Sequence, residues 1–376
     1  GQRRSKRGPQ DFFSKPLVGV LAPLATQVGA GAMWGAVFVG GLAEASLGGL
    51  RLVGRVRRFF PPVVCGTVIV VIGLALGQVA VRLSIGAGRV IDLAFALGVV
   101  ATVLTLQLGA REVLGGILAR GAIFVSIWVV GLGLGSVAGE VEWSLVASRP
   151  WLAWPQLFPY GGPGFGWEFP LAAVLVVLAA YLGSMVESLG DYAATCEVAG
   201  VAYRERHMNR GILAEGLGSA FASVLGALPC TSYTQNIGII ATTRVASRFV
   251  VQIAAGVLLL YGLCPKFGAL LVAMPRPVLG GVFVLICGSI VVAGLRLLGQ
   301  GADGGLGERQ ALIAGTTLVL ALAAPVVVER VLGPEWLAAR PAALSLVLGN
   351  SVVLAVLVGV TLQVLLGPDR PLDRRG

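Results

Sequence analysis

Long runs of apolar residues recur along almost the whole chain, and this feature restricts its fold more than any other. A helix of about 20 apolar residues is long enough to cross the roughly 30 Å hydrocarbon core of a bilayer. The runs are continuous and do not alternate apolar with polar residues as barrel strands do, so we predict helices. The sequence indicates an all-α polytopic protein of the inner membrane, with spans at 17–27 (a short one), 30–50, 62–82, 90–109, 114–138, 170–196, 211–228, 248–264, 278–298, 310–328 and 342–366.

Composition excludes several functional classes. Only 12% of the residues are charged, against about 25% in soluble proteins. The net charge of +10 is not gathered into a basic face, so we expect no nucleic-acid partner. His207 is the only histidine, and we predict no metal site and no cofactor. The sequence lacks a phosphate loop, which argues against ATP-driven transport. Nothing in it resembles a nucleophile paired with a base, so we predict that the protein is not an enzyme.

Residues 229–247 differ from the spans on either side because they are polar and contain Pro229 and Gly238. Non-helical backbone at membrane depth is tolerated where it is buried in protein or lines a cavity. Transporters place broken helices of this kind at the substrate site. We therefore predict that this segment crosses the membrane once, an assumption that also puts most Lys and Arg residues on the cytoplasmic side.

Two acidic residues inside a predicted span are the strongest functional candidates. Glu187 and Asp191 are four residues apart and therefore share one face of a helix. Like charges on such a face repel, which favours proton binding by one of them. A carboxylate that titrates in an accessible pH range suits proton coupling, although two acids near a helix end can also be neutralised by an arginine.

The other acidic residues have simpler interpretations. We interpret Glu44, inside a predicted span, as structural and paired with another span. Asp92, Glu197 and Glu215 lie near the ends of predicted spans, and we expect them at the membrane interface. The 139–169 segment is rich in Trp, Pro and Gly, which is typical of an outer interfacial loop.

The sequence Gln235-Asn236-Ile-Gly238-Ile-Ile-Ala-Thr-Thr243-Arg244 resembles the signature of the nucleobase–ascorbate transporter family at every specified position. The segment from Glu187 to Tyr192 is similar to the second marker of that family, on its eighth span. The resemblance extends from about residue 16 to the C-terminus.

This resemblance implies a fold of fourteen spans in two inverted repeats of seven, with two short strands in half-helix spans. Residues 16–27 match the third span, so we expect the first two spans to precede residue 1 and transport to require them. Parts of the core domain are expected at 1–58, which holds spans three and four, and at 170–272, which holds the substrate site. The gate domain is expected at 59–169 and 273–376.

The resemblance also implies roles for individual residues. Glu187 corresponds to the family's nucleobase-binding glutamate, and it is expected to take part in proton coupling together with Asp191. Gln235 corresponds to the second substrate ligand, and Asn236 orients the site. In the third-span strand, Val18 stands within Leu17-Val18-Gly19-Val20, which lacks the aromatic residue that the family often has there. The remaining candidate substrate-binding residues are Thr234 and Gly238.

The function implied is secondary active symport of a nucleobase with a proton across the cytoplasmic membrane. Gln235 resembles the purine-type members, whereas Thr243-Arg244-Val245 is closer to the uracil and ascorbate types. We favour xanthine or uric acid over uracil, with an ascorbate-type member as a further alternative. Sodium is a weaker candidate than the proton as coupling ion, and a homodimer in the lipid bilayer is expected by analogy. The alternatives outside the family are a sulfate- or bicarbonate-type anion carrier of the same architecture and a scaffold or receptor that does not transport.

Overall fold

Thirteen helices make up the part of the chain that the structure, a computed structural model, describes. They are α1 Ala30–Gly49, α2 Val53–Arg57, α3 Pro62–Ile85, α4 Val90–Leu108, α5 Ala122–Val137, α6 Trp143–Ala147, α7 Leu171–Val198, α8 Glu205–Val224, α9 Arg248–Leu263, α10 Pro265–Ala273, α11 Arg276–Leu298, α12 Glu308–Leu332 and α13 Ser351–Leu365. The described residues are 29–57, 61–109, 121–159, 166–233, 237, 240, 245–299, 306–333, 336, 340, 344 and 347–367.

Within those ranges, six helices are long and apolar enough to cross a membrane. The predicted spans at 30–50, 62–82, 90–109, 170–196, 278–298 and 310–328 coincide with these six. Helices α5 and α13 lie within the spans predicted at 114–138 and 342–366, the first residues of which are partly outside the described ranges. The short span predicted at 17–27 lies outside the described residues.

Helices α9 and α10 pass the same test together, but they are bent by 80° where they meet. The break falls at Cys264, whose backbone is extended, and Pro265 opens α10. Proline has no N–H to donate to the preceding turn, so it begins a helix more easily than it continues one. In α12, Pro325 precedes a wider π-helical turn, Val328–Leu332, for the same reason.

The chain divides into two compact units, and the larger one comprises 13–75, 157–241 and 290–376. Its best-packed pair is α1 with α8. One hydrophobic cluster joins α2, α7 and α8, and it consists of Val53, Met185, Leu189, Met208 and Ile212. Helix α13 packs on α7 and α12, and its first turn is capped by Asn350, whose Oδ1 accepts hydrogen bonds from the backbone N–H groups of Val352 and Val353.

The smaller unit comprises 1–12, 76–156 and 242–289. One cluster joins α4, α5 and the start of α11 through Phe95, Val99, Val130, Val278 and Val282. A second cluster holds α6 and α10 near the end of α5. Apolar residues of the predicted spans thus form the first hydrophobic cluster of this unit.

Two parts of the predicted fold stay predictions. The two compact units have other bounds than the predicted core and gate domains, and they do not test that prediction. No strand occurs in the described part of the chain. Residues 231–233 are non-helical but unpaired as a strand, and the predicted strand around Val18 lies outside the described residues.

Candidate functional site

Glu187 and Asp191 are both buried on α7, with 6% and 7% of their surface exposed. The helix is continuous through both positions, so they lie one turn apart on one face, as their spacing predicts. Burial of a carboxylate is costly unless hydrogen bonds or opposite charges compensate. The polar groups that contact this face therefore determine how the two buried carboxyl groups are stabilised.

A non-helical polar segment, residues 227–233, follows α8. The chain leaves the helix at Gly226, whose φ of 67° is in the left-handed region that favours glycine. The Ser219 hydroxyl then binds both backbone groups of Cys230: it accepts from the N–H at 2.9 Å and donates to the carbonyl at 3.2 Å. A side chain of α8 thus satisfies backbone groups that no helix satisfies.

The polar segment lies along the acidic face of α7. Ser184 and Thr231 share a hydrogen bond of 2.9 Å between their hydroxyls. The Ser232 hydroxyl lies 2.6 Å from Oδ2 of Asp191 and 3.1 Å from the Ser188 hydroxyl. The predicted polar segment and the predicted acidic helix are therefore in direct contact.

Glu215 of α8 is the third acid of the site. It accepts hydrogen bonds from the hydroxyls of Ser188 at 2.7 Å and Tyr192 at 2.6 Å. The Ser232 backbone N–H and the Thr231 hydroxyl also donate to it. Four donors around one carboxyl group compensate part of the cost of burying it.

Our expectation that Glu215 lies near the end of a helix is wrong. We placed the start of this span at 211, but α8 begins at Glu205, so Glu215 lies in the middle of the helix. A signal was present in the sequence: Glu205 is an acid in the first turn, where the helix dipole favours negative charge. The residues that follow Glu205 are mostly polar, so a search for apolar runs places the start of the helix too late.

Glu44 of α1 is the fourth acid, and 4% of its surface is exposed. Its Oε2 has no hydrogen-bond partner among the residues that the structure describes. It interacts electrostatically with Glu215 across the α1–α8 contact. We expected a structural residue paired with another span. The partner found there is another acid.

The other predicted site residues are outside the described part of the chain. They are Val18, Thr234, Gln235, Asn236 and Gly238. The described polar segment ends at Tyr233, directly before four of them. In the described residues, no group of three His, Cys, Asp or Glu side chains is placed to hold a metal ion. The chemistry available at the described site is hydrogen bonding and proton exchange by carboxyl and hydroxyl groups.

The fold is that of a membrane transporter domain. A solved structure of the transmembrane domain of the cyanobacterial bicarbonate transporter BicA matches 92% of this chain and 81% of its own, with a TM-score of 0.57. The sequences are 14% identical, so this likeness concerns the fold alone. It confirms the predicted polytopic helical transporter fold.

Residues 13–330 match the sequence profile of the Permease family. The chain belongs to this family, as the signature at 235–244 predicted, and it is a multi-pass protein of the cytoplasmic membrane. Members of the family are permeases, not enzymes.

Curated relatives agree with this assignment. A putative purine permease of Clostridium perfringens is 33% identical over 77% of this chain and 62% of its own length. The uric acid permease PucK of Bacillus subtilis is 31% identical over 75% and 64%. The xanthine permease XanQ of Escherichia coli is 34% identical over 77% and 61%. The chain therefore spans a little over three fifths of the length of each of these relatives.

Proposed function

We propose that this protein is a secondary active transporter that carries a nucleobase, xanthine or uric acid, together with a proton across the cytoplasmic membrane. One observation carries the proposal: the buried acidic face of α7 lies against the polar segment that leads directly into Gln235-Asn236. Ser232, which binds Asp191, precedes Gln235 by three residues.

Glu187 and Gln235 have complementary chemistry for a purine edge. An ionised carboxylate only accepts hydrogen bonds, and its two oxygens can take two N–H donors. A carboxamide offers both a donor and an acceptor, so it can pair with adjacent N–H and C=O groups of a heterocycle. Charge-assisted bonds of the first kind are about twice as strong as neutral ones. Glu187 thus supplies affinity, and Gln235 supplies discrimination between bases.

The acids also suit proton coupling. Insertion scales put an Asp or Lys at the centre of a span at about +2.5 to +3.5 kcal/mol, so such residues face a partner or a cavity. Asp191 and Glu215 are connected through hydrogen-bonding contacts of the Ser232 and Ser188 hydroxyls. A proton bound at such a site when substrate binds, and released afterwards, links the two fluxes.

An anion carrier is the alternative that one observation favours, because the bicarbonate transporter BicA shares the fold. The site argues against it. Glu44, Glu187 and Asp191 are buried and Glu215 is part-buried, and these carboxyl groups accept N–H donors when ionised. Bicarbonate and sulfate have no N–H group to offer them, whereas a purine does. The family profile and the curated relatives point to nucleobases.

The test is competitive uptake in cells that lack their own nucleobase permeases and express the complete gene. Labelled xanthine is offered with unlabelled xanthine, uric acid, uracil, ascorbate, bicarbonate or sulfate as competitors, with and without a proton ionophore. We expect competition by xanthine and uric acid, and loss of accumulation with the ionophore. Glu197→Gln, at an exposed position of α7, is the matched control for Glu187→Gln. Saturable uptake of bicarbonate or sulfate without any nucleobase uptake would contradict the proposal.

A further inference from the structure

Four side chains form a continuous series of close oxygen–oxygen contacts between two carboxyl groups. The order is Asp191, Ser232, Ser188, Glu215. The three oxygen–oxygen distances are 2.6 Å, 3.1 Å and 2.7 Å. The members come from α7, from the polar segment and from α8, so the series links all three elements of the candidate site.

The number of hydrogen atoms in this series is smaller than the number of contacts. Each serine hydroxyl has one hydrogen to donate, and an ionised carboxylate has none. Two hydrogens cannot serve three contacts. The distances agree with this count: the contacts to the two carboxyl groups are short, as expected for O–H···O⁻ bonds. The 3.1 Å contact between the serines is longer than the usual range for a hydroxyl donor.

We propose that Ser188 and Ser232 form a two-hydroxyl relay over which one exchangeable proton is shared between Asp191 and Glu215. A proton that arrives at Asp191 makes a carboxylic acid, which donates to the Ser232 oxygen. The Ser232 proton passes to the Ser188 oxygen, and the Ser188 proton passes to Glu215. One proton moves from one carboxyl group to the other, all three contacts are then bonded, and no other group changes charge.

Glu44 supplies an independent observation that points to a proton at this site. Only 4% of its surface is exposed, and its Oε2 has no hydrogen-bond partner among the described residues. It interacts electrostatically with Glu215. A second negative charge beside Glu215 is disfavoured in a low-dielectric interior, so Glu44 favours a proton at the Glu215 end of the relay.

The titratable groups around Glu215 are limited in the described part of the chain. They are Glu44 from α1, Tyr181 and Tyr192 from α7, and Cys230 from the polar segment. The ion pairs found in the described residues both belong to Arg89 in the other unit. No ion pair of Glu44 or Glu215 with a lysine or arginine occurs in the described part of the chain.

This inference rests on the proposed function and deepens it, because the relay would carry the coupling proton. It separates two tasks. Glu187 faces the substrate, and the relay connects Asp191 with an acid on a different helix. Substitutions in the relay are therefore expected to impair proton transfer more than substrate affinity, whereas substitution of Glu187 is expected to affect both.

The test uses the product of the complete gene in proteoliposomes, with xanthine as the probe. Ser232→Ala and Ser188→Ala each remove one relay hydroxyl. Ser232→Thr keeps the hydroxyl and serves as the conservative rescue. Ser184→Ala is the matched control, because Ser184 is a buried serine on the same face of α7 that bonds Thr231 and lies outside the relay. Two rates are measured: uptake driven by a pH gradient, and exchange of labelled for unlabelled xanthine without a gradient.

We expect both relay alanine variants to slow gradient-driven uptake by at least about ten-fold, the scale of a lost proton-transfer step. Xanthine exchange and binding should change by less than about three-fold, since no substrate ligand is removed. Ser232→Thr should restore gradient-driven uptake, and Ser184→Ala should reduce both rates equally or neither. Equal loss of both rates in Ser232→Ala and Ser184→Ala would overturn the relay.

A spectroscopic measurement keeps this test distinct from the test of function. Infrared difference spectra between acid and neutral pH report the carbonyl stretch of a protonated carboxyl group. We expect a buried-acid band in the wild-type protein that shifts in Ser188→Ala and disappears in Glu215→Gln. Absence of that band would overturn the relay even if xanthine is transported. Absence of xanthine binding with the band present would contradict the proposed substrate and leave the relay standing.

Discussion

Gly216 of α8 lies directly against the backbone of Ala45 in α1. A Cβ atom at Gly216 would collide with the backbone nitrogen of Ala45 and with the carbonyl oxygen of Gly41. Close approach of backbones at small residues is the usual way in which helices pack in membranes. The contact also explains the acid pair, because Glu44 and Glu215 are the immediate chain neighbours of the two residues that touch.

Gly216→Ala is expected to destabilise the protein. The colliding atoms belong to backbone, which cannot move aside as a flexible side chain can, so the helices must separate. Overpacking of this kind typically costs about 1–3 kcal/mol. The measurement is the thermal unfolding midpoint of the purified protein in detergent, and we expect a clear fall.

Gly315→Ala in α12 is the matched control, because a Cβ atom there would meet nothing within 4 Å. Alanine has a higher helix propensity than glycine by up to about 1 kcal/mol, so the midpoint should stay or rise slightly. Equal destabilisation by both substitutions would show that the tight α1–α8 contact is not the cause.

Arg89 makes a second testable contact, in the smaller unit. Its guanidinium donates to both oxygens of Glu140, at 2.7 Å and 2.9 Å, and to Oδ1 of Asp92 at 2.8 Å. The hydrogen bond from Arg89 lowers the pKa of Glu140 below its ordinary value of 4.5. A lowered pKa in the folded state contributes stability above the ordinary pKa and loses it as the pH falls through the lowered one.

Glu140→Gln should therefore lower the unfolding midpoint slightly at neutral pH, since exposed ion pairs contribute little. At a pH below the lowered pKa, the variant and the wild-type protein should have the same midpoint. Glu142→Gln, two residues further along and exposed, is the control. If the gap between Glu140→Gln and the wild type is the same at both pH values, the Arg89 contact does not act through the Glu140 charge.

The long helices were predictable because an apolar run of about 20 residues indicates a membrane-spanning helix whatever the rest of the fold. Helix α7 was predicted at 170–196 and is found at Leu171–Val198. The spacing of Glu187 and Asp191 then placed both on one face. These predictions needed only the period of the helix and the thickness of the bilayer.

The acid on α8 could not be placed in the same way. Helix α8 begins with a polar run, so its sequence does not show which face packs on α7. Glu215 and Ser188 meet only because α1, α7 and α8 pack together, and that depends on contacts distant in the sequence. Likewise, the 80° bend at Cys264 depends on how α9 and α10 pack, although Pro265 marks a permitted position for it.

Gln235→Glu should shift the preference from purines toward uracil or abolish uptake. An ionised carboxylate cannot donate, so an acceptor on the purine would be left unpaired. Such a loss costs about 1–3 kcal/mol, roughly ten- to a hundred-fold in affinity. The measurement is the inhibition profile of xanthine uptake across the competitor panel. An unchanged profile would remove Gln235 from the substrate site.

Asp191→Asn should impair coupling more than affinity. Asn keeps the size of the side chain and an oxygen acceptor for the Ser232 hydroxyl, but it cannot take up a proton. We expect xanthine binding within a few-fold of wild type and loss of accumulation driven by a pH gradient. Equal loss of binding and accumulation would instead place Asp191 in direct contact with the substrate.

The central claim is that Glu187 binds the nucleobase and links that binding to protonation. Glu187→Gln removes a buried charge and keeps the shape of the side chain, so the protein should remain folded. The direct measurement is binding of tritiated xanthine to the purified product of the complete gene, between about pH 5 and about pH 8, with Glu197→Gln as control. We predict affinity at least about ten-fold weaker and a flattened pH dependence in Glu187→Gln alone. Wild-type affinity with wild-type pH dependence in Glu187→Gln would contradict the account.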